Sequence, residues 1–135
     1  MLGLCIISLG CEPSPQQKLE KIEADVMASH DSAMALMSEI YTKKKELTTL
    51  KDSLAGKDTA AHRMLTEAIT NLTHADEAMM GWMHQYQVPD KAAPDKAIEY
   101  LQAEKKKIAE VREEMHQSLE TAQELEMLYD SPYED

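Results

Sequence analysis

The sequence has no phenylalanine and is poor in the residues from which β-sheet proteins are usually built. Its 135 residues include one Trp, five Tyr and only four Gly. Because β-strands favour aromatic and β-branched side chains, and the turns between strands favour glycine, this composition excludes most β architectures. It is typical of long α-helices instead.

Basic side chains are also scarce, with 14 Lys and Arg against 25 Asp and Glu and a formal net charge of −11. Proteins that bind nucleic acids use clusters of Lys and Arg to neutralise phosphates. We therefore expect no nucleic-acid partner. No apolar run reaches the roughly 20 residues that a helix needs to cross a bilayer.

The motifs of common enzymes are missing as well. The chain has no nucleophile elbow and no glycine-rich phosphate loop, and helical spacing assembles no set of Ser, His and Asp. His30 and Asp31 are adjacent, but neighbouring positions on a helix diverge by about 100° and are predicted not to face each other. We predict a protein without enzymatic activity and without a required cofactor.

Cysteine occurs only twice, at Cys5 and Cys11, and both copies lie at the start of the chain. Residues 1–10 are uncharged and mostly apolar, and polar residues follow immediately after Cys11. An apolar run of about 7–15 residues before a small residue is typical of an export signal. The junction Leu9-Gly10-Cys11 resembles the end of a bacterial lipoprotein leader.

This junction predicts a leader over 1–10, lipidation of Cys11 and a short stalk over 11–15. Lipid chains on Cys11 would make the membrane a partner, because two or more acyl chains give stable anchoring. The expected location is the cell envelope, either facing the periplasm or at the outer membrane. The alternative is a cytosolic coiled-coil interaction protein that keeps an apolar N-terminus.

Three segments with helical periodicity follow, at about 16–54, 59–86 and 94–129. Gly56 suits the end of the first helix, and Asp58 suits the N-cap of the second. Amphipathic helices of this length need packing partners, and short connections place sequential helices antiparallel. We therefore predict an all-α, elongated antiparallel three-helix bundle over 16–129 with coiled-coil-like packing, followed by an acidic tail over 130–135.

Methionine is unusually frequent, with ten copies of which nine are internal. At a rise of about 1.5 Å per residue, all three predicted helices contribute Met and His to one zone of the bundle. Such residues usually fill irregular gaps in a core. Thioether and imidazole groups also bind Cu(I), so the alternative is a copper site, with copper as cofactor. Its candidate ligands are His30, Met34, Met37, Met80, Met83 and His84.

Asp76 falls within the predicted apolar face of the second helix. A buried carboxylate without a partner costs several kcal/mol, so we expect a neighbouring polar group. His30 is at a similar height on the first helix. The sequence therefore predicts a buried polar contact between Asp76 and His30.

Three segments together resemble a known family. They are His30-Asp31 with Met34 and Met37, the run Met79-Met80-Gly81-Trp82-Met83-His84-Gln85, and Tyr100-Leu101 with the following 104–108. They resemble small Bacteroidetes-type lipoproteins of unknown function, which are sometimes labelled after viral A-type inclusion proteins. Gly81 stands where the resemblance leads us to expect an acidic residue. The resemblance implies an envelope lipoprotein and supplies no activity.

Taken together, these features predict a non-enzymatic, lipid-anchored helical protein of the envelope. Its role would be that of an interaction or structural module with a protein partner in the envelope. The alternative functions are a periplasmic copper-binding bundle and a cytosolic coiled-coil interaction protein.

Overall fold

The computed structural model describes residues 12–129 of the chain. The predicted leader, the lipidation site Cys11 and the acidic tail over 130–135 lie outside the described residues. Three α-helices make up most of the described part: α1 (Pro15–Ser53), α2 (Thr59–Gln85) and α3 (Pro94–Tyr129). These bounds agree with the predicted ones to within about one residue.

The ends of the helices follow from local chemistry. The Ser14 side chain accepts a hydrogen bond from the Gln17 backbone N–H at 3.2 Å, and the Gln17 side chain accepts one from the Ser14 N–H at 2.9 Å. This reciprocal capping box satisfies two N–H groups that α1 cannot satisfy internally. Asp58 caps α2 in a similar way, accepting from the Ala61 N–H at 2.9 Å.

The turn between α1 and α2 depends on Gly56, whose φ is +74°. An L-residue with a side chain adopts this left-handed conformation at a cost of about 1–2 kcal/mol, and glycine avoids that cost. The α2–α3 connection leads to Pro94, the first residue of α3. Proline is well tolerated there because the first helical N–H has no partner within the helix.

The three helices all pack against one another. On α1 the buried positions recur at every seventh residue, the spacing of a coiled-coil core position. Burial of each large apolar side chain stabilises the fold by about 1.5–3 kcal/mol. The prediction of an all-α three-helix bundle is confirmed. The buried residues of α1 are Leu19, Val26, Ala33, Ile40 and Leu47.

Side-chain pairs between helices give their relative directions. From Asp25 to Lys43 along α1, the ion-paired partners on α3 advance from Lys105 to Glu126, so α1 and α3 run parallel. The partners of α1 on α2 run in the opposite order: His30 contacts Trp82, whereas Lys44 contacts Asp76. The bundle therefore runs up, down and up, as short connections require.

Candidate functional site

An aromatic cluster joins the three helices near the end of the bundle where α1 begins. The ring centroids of His30 and Trp82 are 5.8 Å apart, those of Trp82 and Tyr86 are 5.0 Å apart, and those of Tyr86 and Tyr100 are 6.2 Å apart. Pairs at these separations stabilise a fold beyond the area they bury. The Tyr100 hydroxyl also accepts a hydrogen bond from the Gln87 N–H at 2.8 Å, which ties the α2–α3 connection to α3.

Carboxylates surround the tyrosine end of this cluster. Burial raises the pKa of the Tyr86 hydroxyl, and the negative charges of Glu23 and Glu104 raise it further. Glu104 is only 3% exposed, and its carboxylate accepts a hydrogen bond from Lys107 Nζ at 2.7 Å. This charge partner offsets part of the cost of burying Glu104.

The burial of Glu104 was not predicted from the sequence. This residue lies three residues after Leu101 and four before Ile108, both of which are fully buried. That spacing places Glu104 on the inner face of α3 and was a usable signal. The Trp82 Nε1–H is also buried, and it has no hydrogen-bond partner among the described residues.

The predicted contact between Asp76 and His30 is not formed. The Asp76 carboxylate lies 3.7 Å from Lys44 Nζ, and its side chain is 36% exposed. The long Lys44 side chain brings its charge to the edge of the bundle, where both groups stay hydrated. This pair replaces the buried contact that we expected.

His30 hydrogen-bonds its sequence neighbour instead. The distance from His30 Nδ1 to Asp31 Oδ1 is 2.9 Å, and the ionised carboxylate can only accept, so the ring N–H donates. The expectation that these adjacent residues cannot face each other was wrong, because both side chains turn toward one another along the helix surface. The bond leaves Nε2 of His30 for other partners.

The nine methionines among the described residues divide into three groups by exposure. Met79 and Met115 are completely buried in the core. Met37 and Met83 are partly buried and pack against it. The remaining five are between 38% and 64% exposed, and they are Met27, Met34, Met64, Met80 and Met127.

Part of the exposed group forms a line along α1. Met27 and Met34 are each 38% exposed, and Tyr41, which is 73% exposed, follows after the same interval of seven residues. Positions seven apart lie nearly above one another on a helix. This line is on the side of α1 that faces α2. His30 and Lys44 both contact α2, and each of them comes three residues after a member of the line.

Met80 continues this apolar region on α2. It is one turn after Asp76, the residue that reaches Lys44 on α1, so Met80 lies on the same side of α2. The contact of His30 with Trp82 and that of Lys44 with Asp76 also place Met80 near the height of Met34. We call the region formed by Met27, Met34, Tyr41 and Met80 the methionine surface.

Exposed acidic groups border the methionine surface. The Asp31 side chain is 78% exposed, four residues after Met27 on α1, and Glu77 is exposed three residues before Met80 on α2. The nearby Lys44 is already paired with Asp76. Lys45, one turn after Tyr41, is exposed as well and adds one positive charge, so Asp31 and Glu77 leave the border with a net negative charge of about one unit.

The six predicted copper ligands occupy different environments. His30 lies against Trp82, Met37 and Met83 are partly buried, and Met34, Met80 and His84 are exposed. Within residues 12–129, no group of three or more His, Cys, Asp or Glu side chains could hold a metal ion. A site in this zone would therefore depend on thioether ligands.

No helix in the described part of the chain combines the length and the apolar character needed to span a membrane. Comparison of the sequence with protein-family models, with curated proteins and with solved structures finds no match. The functional interpretation therefore depends on the sequence and on the geometry of the described residues.

Proposed function

We propose that this chain is a non-enzymatic, lipid-anchored helical protein of the cell envelope, and that its methionine surface binds another envelope protein. One observation carries the proposal. Met27, Met34 and Met80 are each about two-fifths exposed on adjoining sides of α1 and α2. Tyr41, at 73% exposed, extends the same surface.

Methionine side chains suit a contact surface because they are unbranched and polarisable, and they adapt to the shape of a partner. Tyrosine contributes a large apolar area with a polar tip, which is why it is frequent in interfaces. Exposed Asp31 and Glu77 border the surface. We therefore assign the partner as an amphipathic helix with basic residues beside its apolar face, since complementary charge favours association.

The proposed anchor fixes the height of this surface above the membrane. Cys11 is followed by only three residues before α1 begins at Pro15. At about 1.5 Å per residue, Met27 lies roughly 18 Å and Tyr41 roughly 39 Å from the start of α1. The three residues between Cys11 and α1 add about 10 Å when extended, so a partner would meet the methionine surface within about 50 Å of the lipid headgroups, which favours a protein of the same membrane.

Labelling with radioactive palmitate tests the anchor. We expect the label in the wild-type chain and in Cys5→Ala, and no label in Cys11→Ala, because only Cys11 follows the Leu9-Gly10 junction. The Cys5→Ala variant is the matched control, since it removes the other cysteine. Label that persists in Cys11→Ala would contradict the anchor.

Photocrosslinking in intact cells tests the contact surface. A photoreactive amino acid replaces Tyr41 in one variant and Glu113 in another. Glu113 is exposed on α3, about 160° around the helix from the buried Met115. We expect an adduct of discrete mass from position 41 and none from position 113. The same adduct from both positions, or none from position 41, would contradict the proposal.

A second candidate function is Cu(I) binding, and one observation favours it. Metal-binding histidines usually donate their second ring N–H to a carboxylate, which orients the ring. His30 does this toward Asp31 at 2.9 Å, and its Nε2 stays available. Met34 is one turn away on the same face of α1. The thioether and the imidazole would supply soft ligands for Cu(I).

Titration with Cu(I) against a competing chelator tests this candidate. We expect the double variant Met34→Leu with Met83→Leu to lose affinity. The control is Met64→Leu with Met127→Leu, which removes the same number of exposed or partly buried thioethers elsewhere in the bundle. Unchanged affinity in the first double variant would eliminate the site.

A further inference from the structure

The chain has few side chains that oxidise readily, and the structure separates them by exposure. No cysteine follows Cys11, and the single tryptophan, Trp82, is only 7% exposed. Methionine is therefore the main oxidisable residue of the described part. Met79 and Met80 are adjacent in the sequence, yet Met79 is completely buried whereas Met80 is 42% exposed.

We propose that the methionine surface is a site of reversible oxidation to methionine sulfoxide, and that this modification releases the partner without unfolding the bundle. The release rests on the proposed contact function. The modification itself rests only on the exposure of Met27, Met34 and Met80. Leucine at these positions would give similar apolar contacts without this chemistry.

The oxidant is a hydroperoxide. A lone pair on the methionine sulfur attacks one peroxide oxygen, and an S–O bond forms as the O–O bond breaks. The departing oxygen takes up the peroxide proton and leaves as an alcohol, or as water in the case of hydrogen peroxide. Sulfur loses two electrons and the peroxide gains them. A dithiol-dependent sulfoxide reductase restores the thioether: two thiols lose two electrons and two protons and form a disulfide, and the sulfoxide oxygen leaves as water.

Oxidation changes the surface because a sulfoxide is polar where the thioether was apolar. A partner that covers the sulfoxide must remove water from it, which weakens binding by roughly tenfold or more for each covered group. The fold is preserved because the core sulfurs of Met79 and Met115 are completely buried. Oxidation of those two requires the bundle to open first.

Peptide mass spectrometry of the full chain after treatment with hydrogen peroxide tests the modification. We expect Met80 to oxidise at least about ten times faster than Met79, because susceptibility follows exposure. Circular dichroism should show that helix content is retained when the exposed methionines are oxidised. Equal rates at Met79 and Met80, or loss of helix content at that stage, would overturn the proposal.

Crosslinking from position 41 in isolated envelopes tests the release. We expect peroxide to reduce the adduct about tenfold in the wild-type background and in Met64→Leu with Met127→Leu. The adduct should persist in the triple variant Met27→Leu, Met34→Leu and Met80→Leu, which keeps no methionine on the methionine surface. An equal reduction in this triple variant and in the control double variant would overturn the switch. Absence of any adduct before treatment would overturn the proposed function and the switch, while the oxidation rates still decide the modification.

Discussion

The two glycines of the described helical region should respond in opposite ways to the same substitution. Gly81 is inside α2 with a helical backbone, and a Cβ added there would meet nothing within 4 Å. Alanine is favoured over glycine in a helix interior by about 0.8–1.0 kcal/mol. Gly81→Ala should therefore stabilise the bundle by nearly this amount.

The expected change in melting temperature follows from the size of the bundle. The entropy of unfolding is about 2.1 cal/mol/K per residue, so about 1 kcal/mol should raise the Tm of a bundle of this size by about 4 °C. Gly56 also has open space for a Cβ, but its φ is +74°. Gly56→Ala should destabilise the fold by about 1 kcal/mol or more and lower the Tm by a similar interval.

Thermal unfolding followed by circular dichroism measures both variants against the wild type. Because neither new methyl group meets a neighbour, the difference between the two variants reports backbone conformation alone. A fall in Tm for Gly81→Ala would refute the description of α2 as a continuous helix through this position. A rise for Gly56→Ala would refute the left-handed turn.

The remaining predictions concern the core and the ionisable groups. Met79→Ala should lower the free energy of unfolding by about 2–5 kcal/mol because it opens a cavity in the core, whereas Met80→Ala should change it by less than about 1 kcal/mol. Urea denaturation of both variants checks this, and equal losses would contradict the burial pattern. The pKa of Tyr86 is raised in the folded state, so the protonated Tyr86 hydroxyl contributes stability that is complete below the unfolded pKa of about 10. This contribution is lost as the pH rises through the folded pKa. Tyr86→Phe should therefore lose less stability than the wild type when the pH is raised past 10, as measured by urea denaturation. The pKa of Asp25 is lowered by hydrogen bonds from Lys105 and Lys21, so its contribution to stability is present above the ordinary pKa of 3.8 and is lost as pH falls through the folded pKa. Asp25→Asn should flatten the acid limb of the stability profile, and an unchanged limb would show that these hydrogen bonds do not stabilise the fold.

The helices could be predicted from the sequence because their signals are local and agree with one another. The apolar period of α1, the N-cap at Asp58 and the turn at Gly56 each predict the same boundaries. The direction of the helices then follows from the short connections. None of these inferences requires knowledge of which side chains touch across the bundle.

Individual polar contacts could not be predicted in the same way. Asp76 was expected to bind His30 because the two residues were predicted at similar heights. His30 instead lies against Trp82, about 9 Å along α2 from Asp76, and the long Lys44 side chain reaches the carboxylate. Similarly, rotamers decide whether His30 can reach Asp31, and helical angles alone do not. The burial of Glu104 was readable from its spacing, whereas its pairing with Lys107 depends on side-chain reach.

Exposure of the methionines was only partly predictable. The apolar period of α2 and α3 places Met79 and Met115 on the inner faces of these helices, and both side chains are completely buried. Met34 and Met80 sit at the edges of apolar faces, where a rotation of a few tens of degrees decides between core and surface. That rotation is set by the packing of all three helices together, so a single sequence does not determine it.

A crosslinking scan over exposed positions tests the central claim most directly. A photoreactive amino acid is placed in turn on the methionine surface and on the outer face of α3, in cells that express the chain. We expect one common adduct from the first set and none from the second. Adducts that form equally from both faces, or only from α3, would contradict the assignment of the contact surface. The first set is Met27, Met34, Tyr41 and Met80, and the second is Lys106, Glu113 and Glu120.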